Sequence, residues 1–156
     1  NDATTGVTSY AGATLGSLTG GNPTSIGDIS STQTLTGLNS IYAFRTNADV
    51  SGGTLSIRAI DNLNMGGILI NGSNTISSNL TFDPASATAP GAGLSGEGLV
   101  YVKSGESATI SGTVMANAFT KFGDGTLTLS GGGAVLGDVS IQDGTVKLGA
   151  SNPFSR

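Results

Sequence analysis

Short runs of alternating apolar and polar residues recur along the chain, and no window carries the i, i+3, i+4, i+7 apolar spacing of an amphipathic helix. The clearest runs are Gly125-Thr-Leu-Thr-Leu129 and its echo Gly144-Thr-Val-Lys-Leu148. In each, a glycine turn delivers the chain into a short strand. Two apolar side chains then point to one face, while Thr and a second polar residue point to the other, because successive side chains alternate. Such a unit is too short to bury its own apolar side. It must lie against another copy.

Similar runs open on Thr34, Thr54, Thr75, Thr109, Thr126 and Thr145, separated by 20, 21, 34, 17 and 19 residues. The interval of 34 reads as two units of 17, with Gly98-Leu-Val-Tyr-Val102 as an extra strand outside strict phase. A drifting period near 20 residues predicts one coil per repeat, with length changes absorbed in loops. A β-sandwich would place strands every 8–12 residues with hairpin turns between them. A parallel β-solenoid instead stacks short strands about 4.8 Å apart, with Gly or Asn at the corners. The repetition favours the solenoid, with roughly seven coils and a length of about 30–35 Å.

Around these repeats, strands are expected over Tyr10 to Leu18 and Ile26 to Ile29, with a turn at Gly20-Gly-Asn-Pro23 between them. Leu35 to Phe44 resumes the β pattern, with apolar weight from Leu35, Leu38, Ile41 and Ala43. Gly66-Gly-Ile-Leu-Ile-Asn-Gly72 is an apolar run, and its Asn71-Gly72 could equally close an antiparallel hairpin. The proline-bearing stretch from Asp83 to Gly93 reads as a loop pushed out from one coil, and Pro153 as an exit from the last strand. The expected organisation is an irregular N-terminal cap or docking segment over 1–33, the solenoid over 34–150 and an exit segment over 151–156.

Composition sharpens this picture mainly by exclusion. The 26 glycines and scarcity of Glu, Lys, Arg and Gln suit many tight turns and few helices. Charged residues are 10% of the chain and the net charge is −4, with six scattered Lys and Arg. A nucleic-acid or polybasic membrane surface needs a basic patch, which this pattern lacks. No apolar run approaches the ~20 residues that span a bilayer as a helix. Cysteine and histidine are both absent, which removes disulfides, thiolate and His-ligated zinc, and Ser/His/Asp or Cys/His catalysis. The start at Asn1 suggests a processed or excised chain.

At Lys121-Phe-Gly-Asp-Gly-Thr-Leu-Thr-Leu-Ser-Gly131, followed by Gly137-Asp-Val-Ser-Ile-Gln-Asp-Gly-Thr-Val-Lys-Leu148, the chain resembles the autotransporter-associated β-strand repeat. That repeat reads roughly Lys-x-Gly-x-Gly-Thr-Leu-x-Leu-Ser-Gly, a Gly-rich turn, then Val-x-x-Gly-Thr-Leu-x-Leu. Val146 stands where that repeat has Leu. Weaker segments extend the resemblance to about residues 35–150, leaving 1–34 uncovered. It implies a right-handed parallel β-helix from a bacterial surface or secreted protein, commonly an autotransporter passenger, in an extracellular or cell-surface location.

Candidate chemistry is sparse. Asp124, Asp138 and Asp143 each sit beside a glycine, where coil stacking can bring carboxylates onto neighbouring turns; the plainer reading is a turn residue bonding its local backbone. Arg45 and Arg58 offer cations for an acidic polysaccharide, without a clustered Asp set to accompany them. Asp61-Asn-Leu-Asn-Met-Gly66 looks like a calcium loop but fails at Leu63, and Gly123-Asp-Gly125 lacks the repeated Gly-Gly-x-Gly-x-Asp ladder. Tyr10, Tyr42, Tyr101 and the five Phe read mostly as core or corner fillers, and Lys121 as a coil-edge residue whose stem covers apolar surface. Asn71-Gly-Ser73 and Asn79-Leu-Thr81 match glycosylation sequons by pattern.

No catalytic, cofactor-binding or metal residue is therefore assigned, and no cofactor is expected. The expected role is a non-enzymatic stalk or adhesin segment. Alternatives are a self-assembling subunit of an extracellular filament or sheath, and a glycan-binding or polysaccharide-active β-helix. Expected partners are further copies, through exposed end coils, and a host or matrix glycan or protein. Nucleic acid and membrane insertion are not expected.

Overall fold

The computed structural model describes residues 14–58, 65–83, 96–149 and 154. The first strand is β1 (Thr14–Leu15), and the first complete coil follows as β2 (Ile26–Ile29), β3 (Gln33–Thr34) and β4 (Leu38–Ile41). The next coils are β5 (Ala43–Thr46), β6 (Val50–Ser51) and β7 (Thr54–Arg58), then β8 (Met65–Ile70), β9 (Thr75–Ile76) and β10 (Asn79–Asp83). After these come β11 (Glu97–Val102), β12 (Ser107–Ile110) and β13 (Val114–Ala116), then β14 (Ala118–Phe122), β15 (Thr126–Leu129) and β16 (Gly133–Val135). β17 (Val139–Ile141) and β18 (Thr145–Leu148) form the last level. No helix occurs among the described residues.

These strands form three sheets in which every neighbour is parallel. Sheet I runs β1-β2-β5-β8-β11-β14-β17, sheet II β3-β6-β9-β12-β15-β18, and sheet III β4-β7-β10-β13-β16. The chain visits I, II and III in turn and then climbs one level. This is a parallel β-helix, and the seven strands of sheet I match the expected number of coils.

The core is a set of aliphatic ladders along the rod. On sheet II, Val50, Ile76, Ile110 and Leu129 pair in succession; on sheet III, Leu55, Leu80 and Val114 do, alongside Ile41, Ile57 and Phe82. Each of these side chains is at most 2% exposed. Burying a side chain of this size stabilises by roughly 1.5–3 kcal/mol, so the ladders supply the driving force that one coil lacks.

Coil length varies more than the sequence spacing indicates. Thr75 pairs directly with Thr109, so the interval of 34 is one coil and not two of 17. Gly98 to Val102 lies within β11 and occupies a regular level of sheet I. Thr54 opens a strand of sheet III, whereas Thr34 and Thr75 belong to sheet II, so the spacings of 20 and 21 are not coil lengths. The spacing from Thr126 to Thr145 is one, since those residues pair. Only strand positions must keep register, and corners are free to lengthen. The surplus falls at the III-to-I corner, after β7 and after β10. Residues 59–64 and 84–95, which hold most of the calcium-like loop and of the expected extruded loop, lie outside the described residues, as does Pro153.

The coils also begin earlier than residue 34. β2 pairs with β5 over Ile26–Ile29, and β1 pairs with β2. Residues 26–33 are thus part of the first complete coil, while 1–13 are outside the described residues. Asn71-Gly72 closes no hairpin: Asn71 N–H bonds Thr46 O at 2.9 Å as the chain turns from sheet I to sheet II. Leu38 points outward and is 53% exposed, so it contributes little to the core.

The II-to-III corner explains the Ser-Gly that ends the repeat. Ser111 and Ser130 donate their N–H groups to Ile76 O and Ile110 O, one level down, at 2.9 and 3.0 Å. The following residue then passes against the corner below. A Cβ on Gly112 would collide with the Ser78 carbonyl, and one on Gly131 with the Gly112 carbonyl. Gly112→Ala and Gly131→Ala should each lower stability by about 1–3 kcal/mol in urea denaturation, since backbone must shift to admit the methyl. Gly132→Ala, with nothing within 4 Å of its Cβ, should stay within about 0.5 kcal/mol of wild type.

Candidate functional site

Three places on the coils carry chemistry beyond packing. The first is the I-to-II corner above β14. Lys121 lies on the inner row of that strand, opposite Val100 below and Ile141 above, and is fully buried. Its stem continues the aliphatic row and its ammonium reaches the corner, where Nζ donates to the carbonyl oxygens of Gly123 and, at 3.0 Å, Asp143. The lysine thus ties one coil to the next. The coil-edge reading holds for the position of the head group, but the head group is enclosed.

Asp124 and Asp143 stand exposed at this same corner on successive coils, whereas Asp138 lies at the III-to-I corner. Burial pushes the Lys121 amine below its usual value, and attraction to Asp124 and Asp143 partly opposes that shift. Asp143 also acts through its main-chain carbonyl. The pair therefore flanks a structural cation. Among the described residues, no group of three or more His, Cys, Asp or Glu is placed to hold a metal ion.

The second place is the outer face of sheet III. Ser56 and Thr81 pair across β7 and β10, and Asp83 stands opposite Arg58. Asp83 Oδ2 accepts hydrogen bonds from Ser56 Oγ at 2.7 Å and Thr81 Oγ1 at 2.9 Å. Ser56, Thr81 and Asp83 are all buried although alternation turns them away from the core. Arg58, read from sequence as an available cation, thus faces a carboxylate of its own chain. Arg45 does too: its Nε donates to Asp28 Oδ1 at 2.9 Å and its Nη2 meets Asp28 Oδ2. That hydrogen bonding holds the Asp28 carboxyl below its usual value and raises Arg45. Both partners remain largely exposed, so the ion pair contributes little to stability.

The third place is the outer face of sheet I. Alternation puts Ile26, Ala43, Gly67 and Leu99 in one outward row, and Asp28, Arg45, Leu69, Tyr101 and Phe122 in the next. All of these except Asp28 line an open depression of about 350 Å³ with almost wholly apolar walls. Gly67 forms part of its floor, with open space where a side chain would stand. Tyr101 and Phe122 meet edge to face, ring centres 5.4 Å apart. The filler reading thus fails for Tyr101 and Phe122, which form an aromatic pair on the surface; it holds for Phe44, Phe82 and Phe119, which are buried.

In comparisons with known proteins, no family model, no curated protein and no solved structure matches the chain.

The sequence offered one signal for the surface depression. Ile68-Leu-Ile70 and Leu99-Val-Tyr-Val102 are apolar at consecutive positions, so both faces of β8 and β11 carry apolar groups. The Ser56–Thr81–Asp83 cluster left no such signal, because it depends on the 25-residue offset that pairs Thr54 with Asn79 (79−54=25).

Lys121 generates a pH prediction. The folded state binds the lysine proton less tightly than the unfolded chain, whose amine titrates near 10.5. Stability therefore rises as pH increases from the depressed folded value toward 10.5, where the unfolded chain holds more protons. Urea denaturation between about pH 7.5 and 10 should show this rise in wild type and its loss in Lys121→Met. The variant should also be less stable at neutral pH by about 1–3 kcal/mol, because carbonyls at the corner lose their donor.

Proposed function

We propose that this chain is a structural, non-enzymatic rod segment of a bacterial surface-exposed or secreted protein, serving as a stalk or adhesin segment. The observation that carries this reading is the unbroken parallel register of the coils. β8 and β11 stay paired over six positions, although the connection between β10 and β11 is the longest between described strands. Each coil needs only its neighbours, so length is added without redesign and the product is stiff. The location rests on the resemblance of residues 121–148 to the autotransporter-associated repeat. Both singled-out arginines oppose a carboxylate of their own chain, and Asp124 and Asp143 flank Lys121, arrangements that suit holding coils together rather than turnover.

A second reading, assembly into an extracellular filament or sheath, is favoured by the last level. Ile141 and Leu148 continue rows that are buried elsewhere, yet are 52% and 55% exposed. Among the described residues, β17 and β18 are the end strands of their sheets. Phe154 packs at a tilt against Phe119, 6.2 Å between ring centres, and covers part of the core there.

Small-angle scattering and electron microscopy distinguish the readings. The stalk should appear as discrete rods about 30–35 Å long, and duplicating residues 118–137 should lengthen them by about 4.8 Å. Ordered fibres would favour the filament. Reproducible release of reducing ends from a polysaccharide panel by purified protein would overturn the non-enzymatic role.

A further inference from the structure

We propose that the outer face of sheet I is a lateral docking surface for a second copy of this chain, joining two rods side by side. The face has the composition of an interface core. From β2 to β14, five strands of sheet I, its outward positions include Ile26, Ala43, Leu69, Leu99, Tyr101 and Phe122, with Leu69 40% exposed. Charges at its border are already satisfied within the chain. Asp28 holds Arg45, and Glu97 Oε1 accepts a hydrogen bond from Thr120 Oγ1 at 2.6 Å. Docking that leaves Glu97 at the solvated rim buries aromatic and aliphatic groups and keeps the Asp28–Arg45 pair intact.

The occupant follows from shape. A two-fold interface uses the same patch on both partners, so a protrusion must sit beside a matching recess. Sheet I has both: Leu69 and Tyr101 form one wall of the depression, beside Ala43 and Gly67. Apposing two copies lets the protruding pair of each enter the recess of the other. A sugar fits less well, because its hydroxyls would find few polar partners on these walls.

Size sets the strength. Five strands at ~4.8 Å and two to three outward columns give a face of about 25 Å by 15–20 Å. Two such faces bury about 700–1,000 Å², below the range of stable specific interfaces and within that of weak, transient ones. The dimer is therefore weak and concentration-dependent, dissociating in the range of ~10–100 µM.

Sedimentation equilibrium from ~5 to ~500 µM brackets that range and is the test. Wild type should pass from monomer to dimer. Leu69→Lys and Gly67→Gln should each weaken association at least about tenfold. Neither should disturb the coil: Leu69 points outward, and the nearest heavy atom to a Cβ at Gly67 is Leu99 O at 3.9 Å. Their urea midpoints, read on dilute protein, should match wild type. Ile141→Asp, on the end coil, should leave the dimer intact. A monomer across the whole range overturns the proposal, as does a dimer that survives both sheet I variants. Loss of association in Ile141→Asp alone overturns it too, and returns self-association to the end coils without touching the stalk reading. A strictly monomeric wild type whose Tyr101 and Phe122 resonances shift with hexanoate overturns it in favour of a small apolar ligand.

Discussion

Inner side chains of one coil are covered chiefly by those of the coils above and below, and the rest of the molecule answers to that requirement. Val50, Ile76, Ile110 and Leu129 come from four separate coils and meet only because sheet II keeps its register. A one-residue slip in any strand would turn its apolar row outward. Register is therefore held along each sheet, and the chain takes up its irregularities at the corners. From β2 onward, the I-to-II and II-to-III corners keep short connections, while both long connections fall at the III-to-I corner.

Corners pose a separate problem, because backbone there leaves one ladder before it joins the next. Carbonyl and amide groups must find partners off the regular pattern. Two answers are found in the C-terminal coils. Where corners pass close together, glycine removes the Cβ that would strike the carbonyl beneath, as at Gly112 and Gly131. Where carbonyls converge, Lys121 supplies donors from inside the core. A lysine on an inner row costs desolvation, which its depressed basicity records. It is tolerated because its stem is as apolar as the Val100 and Ile141 that flank it in register.

The strands were legible in the sequence because period-two alternation and glycine punctuation are local signals. Ile26–Ile29 and Thr126–Leu129 form strands where the pattern predicts them. Coil assignment was less legible, because it depends on which strands become neighbours. Thr54 carries the same Thr-aliphatic signature as Thr34 and Thr75 but belongs to another sheet, which no local pattern records. Burial of Lys121 was hidden for a related reason: a charged residue in an alternating run reads as outward until the facing carbonyls are known. The Ser56–Thr81–Asp83 cluster shows the same limit from the other side, since outward polar residues ordinarily read as solvated.

What distinguishes this solenoid from a plain spacer lies on its outer faces. Inner rows are constrained by their neighbours, and nothing in coil stacking fixes what points outward. Polar outward residues would serve a simple rod best, since they keep it solvated. Sheet III departs from that with a buried hydrogen-bonded carboxylate, and sheet I with an apolar recess beside an aromatic pair. The recess is the stronger departure, because exposing apolar surface to water costs free energy unless something covers it. Gly67 makes the point at one residue: a larger side chain would fit there without strain and fill the hollow, yet the floor is left open.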